Sequence, residues 1–414
     1  MKSRNLLDEV FTALSDTPVV LINGPRQAGK STLTQAPEIL KQDRHYLTFD
    51  QPSIVAAAKN DPEGFIAGLP EKVTLDEIQH VPELFPVIKA AVDRHRKPGR
   101  FLLTGSANVL LLPKLSESLA GRMEILTLWP FSQGEMHRTK EDFIDELFSI
   151  KPRFLSQPTS KRINRTALFE KILTGGYPPL LTRTTPSRRK AWFKSYLTTI
   201  LQRDIRNFSD ISDLNALPRL LAATAARAGS LLNFTDLGRS LMLPQTTVKR
   251  YFDLLTITFL VQLLRPWSTN LGQRVIQTPK PYLTDTGLLT HLLGLTTDRL
   301  LLDPSLAGSA MENFVLMEFL KQATWSKRQP EFFFWRTASG QEVDLLLEDQ
   351  KGHLVGIEIK AGATLTAKDV RGLQTLSTLA GKRWVRGIVL YTGNDIIPFG
   401  KNLHAVPITR LWEK

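Results

Sequence analysis

The sequence predicts an α/β fold in three parts: an open, mostly parallel sheet at the N terminus, a mainly helical middle, and a smaller α/β part at the C terminus. Three observations carry this reading. Through the first 150 residues, short apolar runs bounded by Pro and Gly alternate with stretches of helical periodicity, as in a buried parallel sheet with helical crossovers. From 166 to about 300 the apolar spacing is mainly helical. Beyond 300, two closely spaced strand-like runs and a helix return the chain to an α/β pattern. A length of 414 residues suits two to four domains, each able to bury a core. The expected parts are 1–150, 166–300 and 301–414, with the basic, Pro- and Ser-containing stretch Lys151–Arg165 as linker.

The elements follow in order. Leu6, Leu7, Val10, Phe11 and Leu14 fall at helical spacing and predict a helix over 1–15. Pro18–Asn23 then reads as a buried strand, followed by candidate strands His45–Phe49, Lys72–Leu75, Arg100–Thr104 and Met123–Leu128. Gly175–Pro179 is a turn within the helical middle. In the C-terminal part a helix is expected over 308–323. Strands follow at Phe332–Trp335, Glu342–Leu347 and Leu354–Lys360, then a helix over 366–379 and a strand at Val385–Leu390.

Composition excludes several classes. Apolar residues at 42% and charged residues at 22% describe an ordinary globular chain rather than a disordered one. The absence of cysteine excludes a disulfide scaffold, a cysteine-ligated metal and a thiol nucleophile. No apolar run reaches the roughly 18 residues of a membrane span, and the amphipathic start MKSRNLLDEVF is unlike a secretory signal. A soluble cytoplasmic protein is expected, with no membrane partner. The net charge of +13 is uneven: residues 1–150 carry −3, residues 151–280 carry +15 and the remainder +1. A basic excess confined to the middle third is the footprint of a polyanion partner, or of a face packed on an acidic neighbour.

One segment carries specific chemistry. Gly24-Pro25-Arg26-Gln27-Ala28-Gly29-Lys30-Ser31 fits G-x-x-x-x-G-K-[ST] and lies between an expected strand and an expected helix. Glycines in that context let main-chain N–H groups wrap phosphates. Lys30 would reach the β- and γ-phosphates, Ser31 would ligate Mg²⁺, and Thr32 would start the helix near the α-phosphate. Arg26 is a further nucleotide contact candidate. Val73–Glu77 is a β-rich run ending in two acids: Asp76 would hold Mg²⁺, directly or through water, and Glu77 would deprotonate the attacking water. A pure switch has no use for the second acid, so Glu77 favours hydrolysis. After the strand ending at Thr104, either Thr104 or Ser106 is placed to sense the γ-phosphate or to position the water. Arg122 is a candidate for neutralising transition-state charge, in cis or from a neighbouring subunit, with a structural ion pair as the alternative.

The motifs GPRQAGKST, TLDEIQ, LLTGSAN and SLAGR resemble those of a prokaryotic AAA-type P-loop ATPase family whose members end in a domain of unknown function. Gly175-Gly-Tyr-Pro, Ser195-Tyr-Leu, Gln202-Arg-Asp204, Tyr282–Gly287, Glu342-Val-Asp344 and Glu358-Ile-Lys360 extend the resemblance over nearly the whole chain. It implies a P-loop NTPase sheet and the binding and hydrolysis of ATP. Gln202 departs from the pattern, where an acid is common.

Within the basic third, Ser230–Leu255 reads as helix–turn–helix. Leu237 and Leu241 face inward, Leu243-Pro244 forms the turn, and Val248, Tyr251, Phe252 and Leu255 make the apolar stripe of the second helix. Gln245, Thr246, Lys249 and Arg250 face outward as candidate nucleic-acid contacts. With Val261–Pro266 and Arg274–Leu283 as a β-wing, the region over about 220–285 resembles a winged helix, a module that either grips DNA or docks protein. In the C-terminal part, Asp344 followed by Glu358-x-Lys360 resembles the core of restriction-endonuclease-like nucleases, in which carboxylates hold Mg²⁺ and the lysine orients water. Glu312 and Gln374 are further candidates there; charged strand faces produce the same spacing without chemistry.

Three readings follow. The first is a Mg²⁺-dependent ATPase whose conformational change acts on DNA. The second is a STAND-like nucleotide switch that docks protein partners and carries an inactive nuclease-like domain. The third is an ATP-gated, metal-dependent nuclease. A homo-oligomer would supply the arginine in trans.

Overall fold

The computed structural model describes residues 2–107, 119–156, 163–205, 215–269 and 278–413. Asn108, Ser118, the side chains of Arg203 and Asp204, residues 157–162 of the expected linker and 274–277 of the expected wing lie outside the described residues. The chain divides into two compact units, residues 1–131 with 256–259 and residues 132–255 with 260–414.

In the first unit, helix α1 (Leu7–Asp16) precedes β1 (Val19–Asn23), helix α2 (Lys30–Thr34), β2 (His45–Thr48), β3 (Val73–Asp76), helix α3 (Leu84–Arg94), β4 (Phe101–Gly105) and β5 (Met123–Thr127). The sheet order is β2-β3-β4-β1-β5, and every neighbouring pair is parallel. The apolar runs are the reason. All five residues of β1 are buried, because a parallel strand has helices on both faces and no side in water. Period two divides them. Val19 and Leu21 join Leu75, Phe101 and Leu103 and the Phe85, Ile88 and Val92 stripe of α3. Val20 and Ile22 join Leu102, Leu128 and the Leu6, Val10 and Leu14 face of α1. Each such side chain contributes about 1.5–3 kcal/mol relative to exposure. Parallel alignment also sends the loops after β1, β3 and β4 to one edge of the sheet, where an open α/β sheet offers its crevice.

The second unit contains helices α4 (Arg165–Thr174), α5 (Pro186–Thr199), α6 (Ala216–Ala225), α7 (Phe234–Leu241), α8 (Gln245–Ile257), α9 (Thr286–Leu293), α10 (Pro304–Ala323) and α11 (Arg371–Ala380). Its strands are β6 (Val261–Pro266), β7 (Lys280–Leu283), β8 (Glu331–Arg336), β9 (Glu342–Glu348), β10 (Leu354–Lys360), β11 (Trp384–Tyr391), β12 (Ile397–Gly400) and β13 (Leu403–Pro407). They form one mixed sheet in the order β12-β13-β11-β10-β9-β8-β6-β7.

Two features differ from the composition-based division. Residues just after Phe131 belong to the second unit: the Gln133 N–H donates to the buried carboxylate of Glu318 on α10 at 2.8 Å. No structural break falls at 300 either, because β6 pairs in parallel with β8 and carries the β6–β7 hairpin into the C-terminal sheet. Residues of the helical middle thereby reach the C-terminal acids.

Candidate functional site

The phosphate loop connects β1 to α2. Gly24 lies at φ +142°, and a Cβ there would sit 2.2 Å from the Leu128 carbonyl oxygen, so the position accepts only glycine. Gly29, at φ +101°, caps α2 in the left-handed region. Lys30 is buried, and its ammonium donates to the carbonyls of Gly24 at 2.9 Å and Pro25 at 3.0 Å. The cation is therefore stored on main-chain oxygens of its own loop, which are neutral acceptors.

Asp76, at the end of β3, is 2% exposed and is surrounded by hydroxyls. Ser31 Oγ lies 3.1 and 3.0 Å from its two carboxylate oxygens, Tyr46 donates at 2.8 Å, and Thr104 donates at 2.5 Å. Burial, together with the Asp76 charge, pushes the Tyr46 phenol upward, so it remains a donor. Thr104 in turn accepts from the Glu77 N–H at 2.9 Å. That bond accompanies an unusual backbone: Glu77 sits at φ +57°, a left-handed conformation disfavoured for a side-chain-bearing residue. The Glu77 carboxylate accepts from Gln79 Nε2, which also donates to Ser106 Oγ at 3.0 Å. Burial opposes ionisation of Glu77. The Lys30 charge, hydrogen bonds from Gln79 and Ser106, and the Arg26 charge outweigh it and hold the carboxyl below its ordinary value.

Lys30, Ser31, Asp76, Glu77 and Ser106 thus converge, and Arg26 acts on Glu77 through its charge. Pro25, Gln27 and Ala28 complete the loop. Thr32 is exposed in the first turn of α2, which begins at Lys30 rather than at Thr32. Thr104 is fully buried and braces Asp76 and Glu77. The cis role for Arg122 is corrected. Arg122 immediately precedes β5, and β1 pairs with β5 in parallel from Val19↔Met123, so Arg122 lies at the sheet edge opposite the phosphate loop. There it forms an ion pair with Asp93 on α3. Tyr46 and Gln79 join the site from outside the residues to which the motifs give a role. Gln79 follows Glu77 by two residues in TLDEIQ; nothing local marks Tyr46.

In the second unit, α7 and α8 are joined through Met242 in the left-handed region at φ +55°. Leu237, Leu241, Val248, Tyr251, Phe252 and Leu255 are buried, as the spacing requires. Gln245, Thr246, Lys249 and Arg250 are exposed. The Gly175-Gly176 turn and the Thr284–Gly287 motif are one structural device. Asp285 accepts from the Gly176 N–H at 2.7 Å, and a Cβ on Gly175 would lie 2.1 Å from that carboxylate.

Glu312, Asp344, Glu358 and Lys360 also come together, but with cations and donors already on the acids. Lys280 Nζ lies 3.2 Å from Glu312 and contacts Glu342. Tyr282 donates to Glu312 at 2.5 Å, the Ile359 N–H donates to Asp344 at 2.8 Å, and Lys360 pairs with Glu358 at 2.8 Å. Burial and the Asp344 charge push Glu312 up to about 7 and Glu358 up to about 8; burial also raises Asp344. Among the described residues no three His, Asp or Glu side chains are placed to hold a metal ion. Lys280, Tyr282, Lys360 and the Ile359 N–H thus already engage the acids that a restriction-endonuclease-like centre would turn toward Mg²⁺. Gln374 is exposed on α11. Among the described residues no helix is long and apolar enough to cross a membrane.

Comparison with known proteins agrees with the geometry of the first unit. A family model described as an AAA domain matches residues 16–137, and two described as domains of unknown function, DUF8612 and DUF4143, match 165–299 and 307–411. Uncharacterized proteins of Mycobacterium tuberculosis and Mycobacterium bovis are each 35% identical over 414 residues, covering 99% of this chain and 85% of theirs. The Thermotoga maritima RuvB Holliday junction branch migration motor is similar at 17% identity and a TM-score of 0.28, covering 62% of this chain and 88% of that one. AMPPCP-bound DnaA from Aquifex aeolicus is similar at 13% identity and a TM-score of 0.27, covering 61% and 86%. By the AAA-domain match and by 35% identity to mycobacterial proteins over 85% of their length, the chain belongs to the AAA-type P-loop ATPase family that carries a C-terminal DUF4143 domain of unknown function.

Proposed function

We propose that this chain is a Mg²⁺-dependent ATPase in which Lys30, Ser31, Asp76 and Glu77 form the reaction centre. One observation carries the reading: a buried lysine on a glycine-bounded loop, a hydroxyl-bound aspartate and a glutamate hydrogen-bonded by Gln79 share the carboxyl edge of one parallel sheet. Phosphate oxygens would replace the Gly24 and Pro25 carbonyls as acceptors for the Lys30 ammonium. Ser31 and Asp76 fit Mg²⁺, which when bound supplies charge neutralisation on the phosphate oxygens. Glu77, held by Gln79 and Ser106, accepts a proton as water oxygen bonds to the γ-phosphorus. The bond from that phosphorus to the β–γ bridging oxygen breaks, and ADP leaves. ATP-turnover and nucleotide-binding assays test this. Lys30→Ala should abolish turnover, while Glu77→Gln should retain ATP without hydrolysing it. Normal turnover by Lys30→Ala would remove the assignment, and unchanged function of a Glu77→Gln chain would favour a switch.

A second element of the proposal is the output. Gln245, Thr246, Lys249 and Arg250, exposed within the third of the chain carrying +15, support contact with nucleic acid. Such binding should weaken steeply with salt and with Lys249→Glu/Arg250→Glu. Salt-independent capture of a protein partner would favour docking instead.

A further inference from the structure

The acidic cluster of the C-terminal sheet resembles a metal centre in sequence, and the cation placed at its middle comes from β7. We infer that Lys280 is the built-in cation of the Glu312–Glu342–Asp344 cluster, and that this part of the chain holds no divalent metal while β7 is in place. The side chain of Lys280 is 3% exposed and its ammonium touches two carboxylates, Glu312 and Glu342. The face of Phe334 lies 5.2 Å from the same nitrogen, so an aromatic ring covers a further side of the cation. Tyr282, two residues along β7 and hence on the same strand face, donates to Glu312 as well.

The hairpin that carries these donors pairs with β8, so the sheet itself positions the ammonium. Burial works against the charge on Lys280. The surrounding charges of Glu312, Asp344 and Glu342 outweigh that and keep it an ammonium. A divalent ion entering the cluster would meet this fixed positive charge at a few Å, in a setting where charges are poorly screened. Asp344 and Glu358 have also accepted the Ile359 N–H and the Lys360 ammonium. Acids that could hold a metal instead fasten the hairpin and α10 to the sheet.

The test uses the full-length, nucleotide-free protein titrated with Mn²⁺ alone, free Mn²⁺ being followed by electron paramagnetic resonance. The wild type and Asp344→Asn should bind the same amount, any ion at the phosphate loop being common to both. Lys280→Met removes the charge and keeps the chain length. It should gain a site at least about tenfold tighter than any in the wild type, lost again in Lys280→Met/Asp344→Asn. An Asp344-dependent Mn²⁺ site in the wild type overturns the inference, as does a folded Lys280→Met with no gain. Should Lys280→Met fail to fold, the comparison of the wild type with Asp344→Asn decides alone. No nucleotide enters the experiment, so its outcome is independent of the ATPase reading.

Discussion

Two places in this molecule bury carboxylates beside a lysine, and they treat the negative charge in opposite ways. At the phosphate loop, Lys30 rests on main-chain carbonyls, and Asp76 is held by the hydroxyls of Ser31, Tyr46 and Thr104. On the C-terminal sheet, Lys280 and Lys360 sit directly on Glu312, Glu342 and Glu358. Neutral donors orient a carboxylate and leave its charge for an arriving cation; an ammonium cancels it. The titration reflects the wider surroundings as well: against burial, the Lys30 and Arg26 charges and the hydrogen bonds of Gln79 and Ser106 hold Glu77 below its ordinary value, whereas burial and the Asp344 charge push Glu358 up to about 8 despite Lys360. Finding lysine and carboxylate together therefore says little until the lysine's acceptor is known.

The largest effect that separates the two regions is catalytic. Glu77→Gln should lower the rate of ATP hydrolysis by about 10²–10⁴-fold, the usual contribution of a positioned general base, with nucleotide affinity little changed. The parallel change Glu358→Gln should leave hydrolysis intact. If both variants hydrolyse ATP normally, the contrast between the regions has no chemical meaning.

Thr104→Val sharpens the first half of the comparison. The Thr104 hydroxyl is fully buried and links Asp76 to the Glu77 N–H, so its loss frees both acids at once. A drop in turnover of about tenfold is expected, with a stability cost of about 1–3 kcal/mol for the stranded groups. Thr104→Ser keeps the hydroxyl and should restore the rate, which a packing defect alone would not permit.

Much of this architecture was legible in the sequence. Buried parallel strands announce themselves as short runs of apolar and β-branched residues, so β1, β3 and β4 are readable, as is the phosphate loop between β1 and α2. The helix–turn–helix was equally plain, since its stripe obeys helical spacing. Edge strand β12 gives little signal because it is four residues long and holds Pro398 and Gly400, and its neighbour β13 ends in Pro407 with His404 among its apolar residues. Tyr46 and Lys280 were invisible for another reason. Tyr46 meets Asp76 from 30 residues away and Lys280 meets Glu312 from 32, and tertiary contacts leave no local period.

A smaller effect tests the solvation argument in the second unit. Burial pushes the Glu141 carboxyl up to about 8, against an ordinary 4.5. The folded state then binds more protons than the unfolded chain between those values, so this contribution is complete below about pH 4.5 and fades as pH rises through 8. Glu141→Gln, which remains neutral and can still accept the Gly134 N–H, should flatten the fall in Tm between pH 5 and pH 8, a range read off these same values. An unchanged slope would show that Glu141 ionises freely in the folded protein.

The smallest expected effect concerns Arg122, and it bears on how many chains the reaction needs. The guanidinium lies at the sheet edge opposite the phosphate loop and pairs with Asp93 at the surface. Exposed pairs of this kind contribute little to stability, because water already solvates both charges and salt screens them. Within one chain Arg122→Ala should change turnover by less than about twofold, since no charge near the reacting phosphate is lost. Measuring turnover across a range of protein concentrations gives that result its force. A large loss in Arg122→Ala, with wild-type activity rising faster than linearly with concentration, would place the same arginine at the γ-phosphate of a neighbouring copy. A concentration-independent wild type with an active Arg122→Ala leaves Lys30 as the cation stored at the phosphate loop and gives the Arg122–Asp93 pair a structural part only.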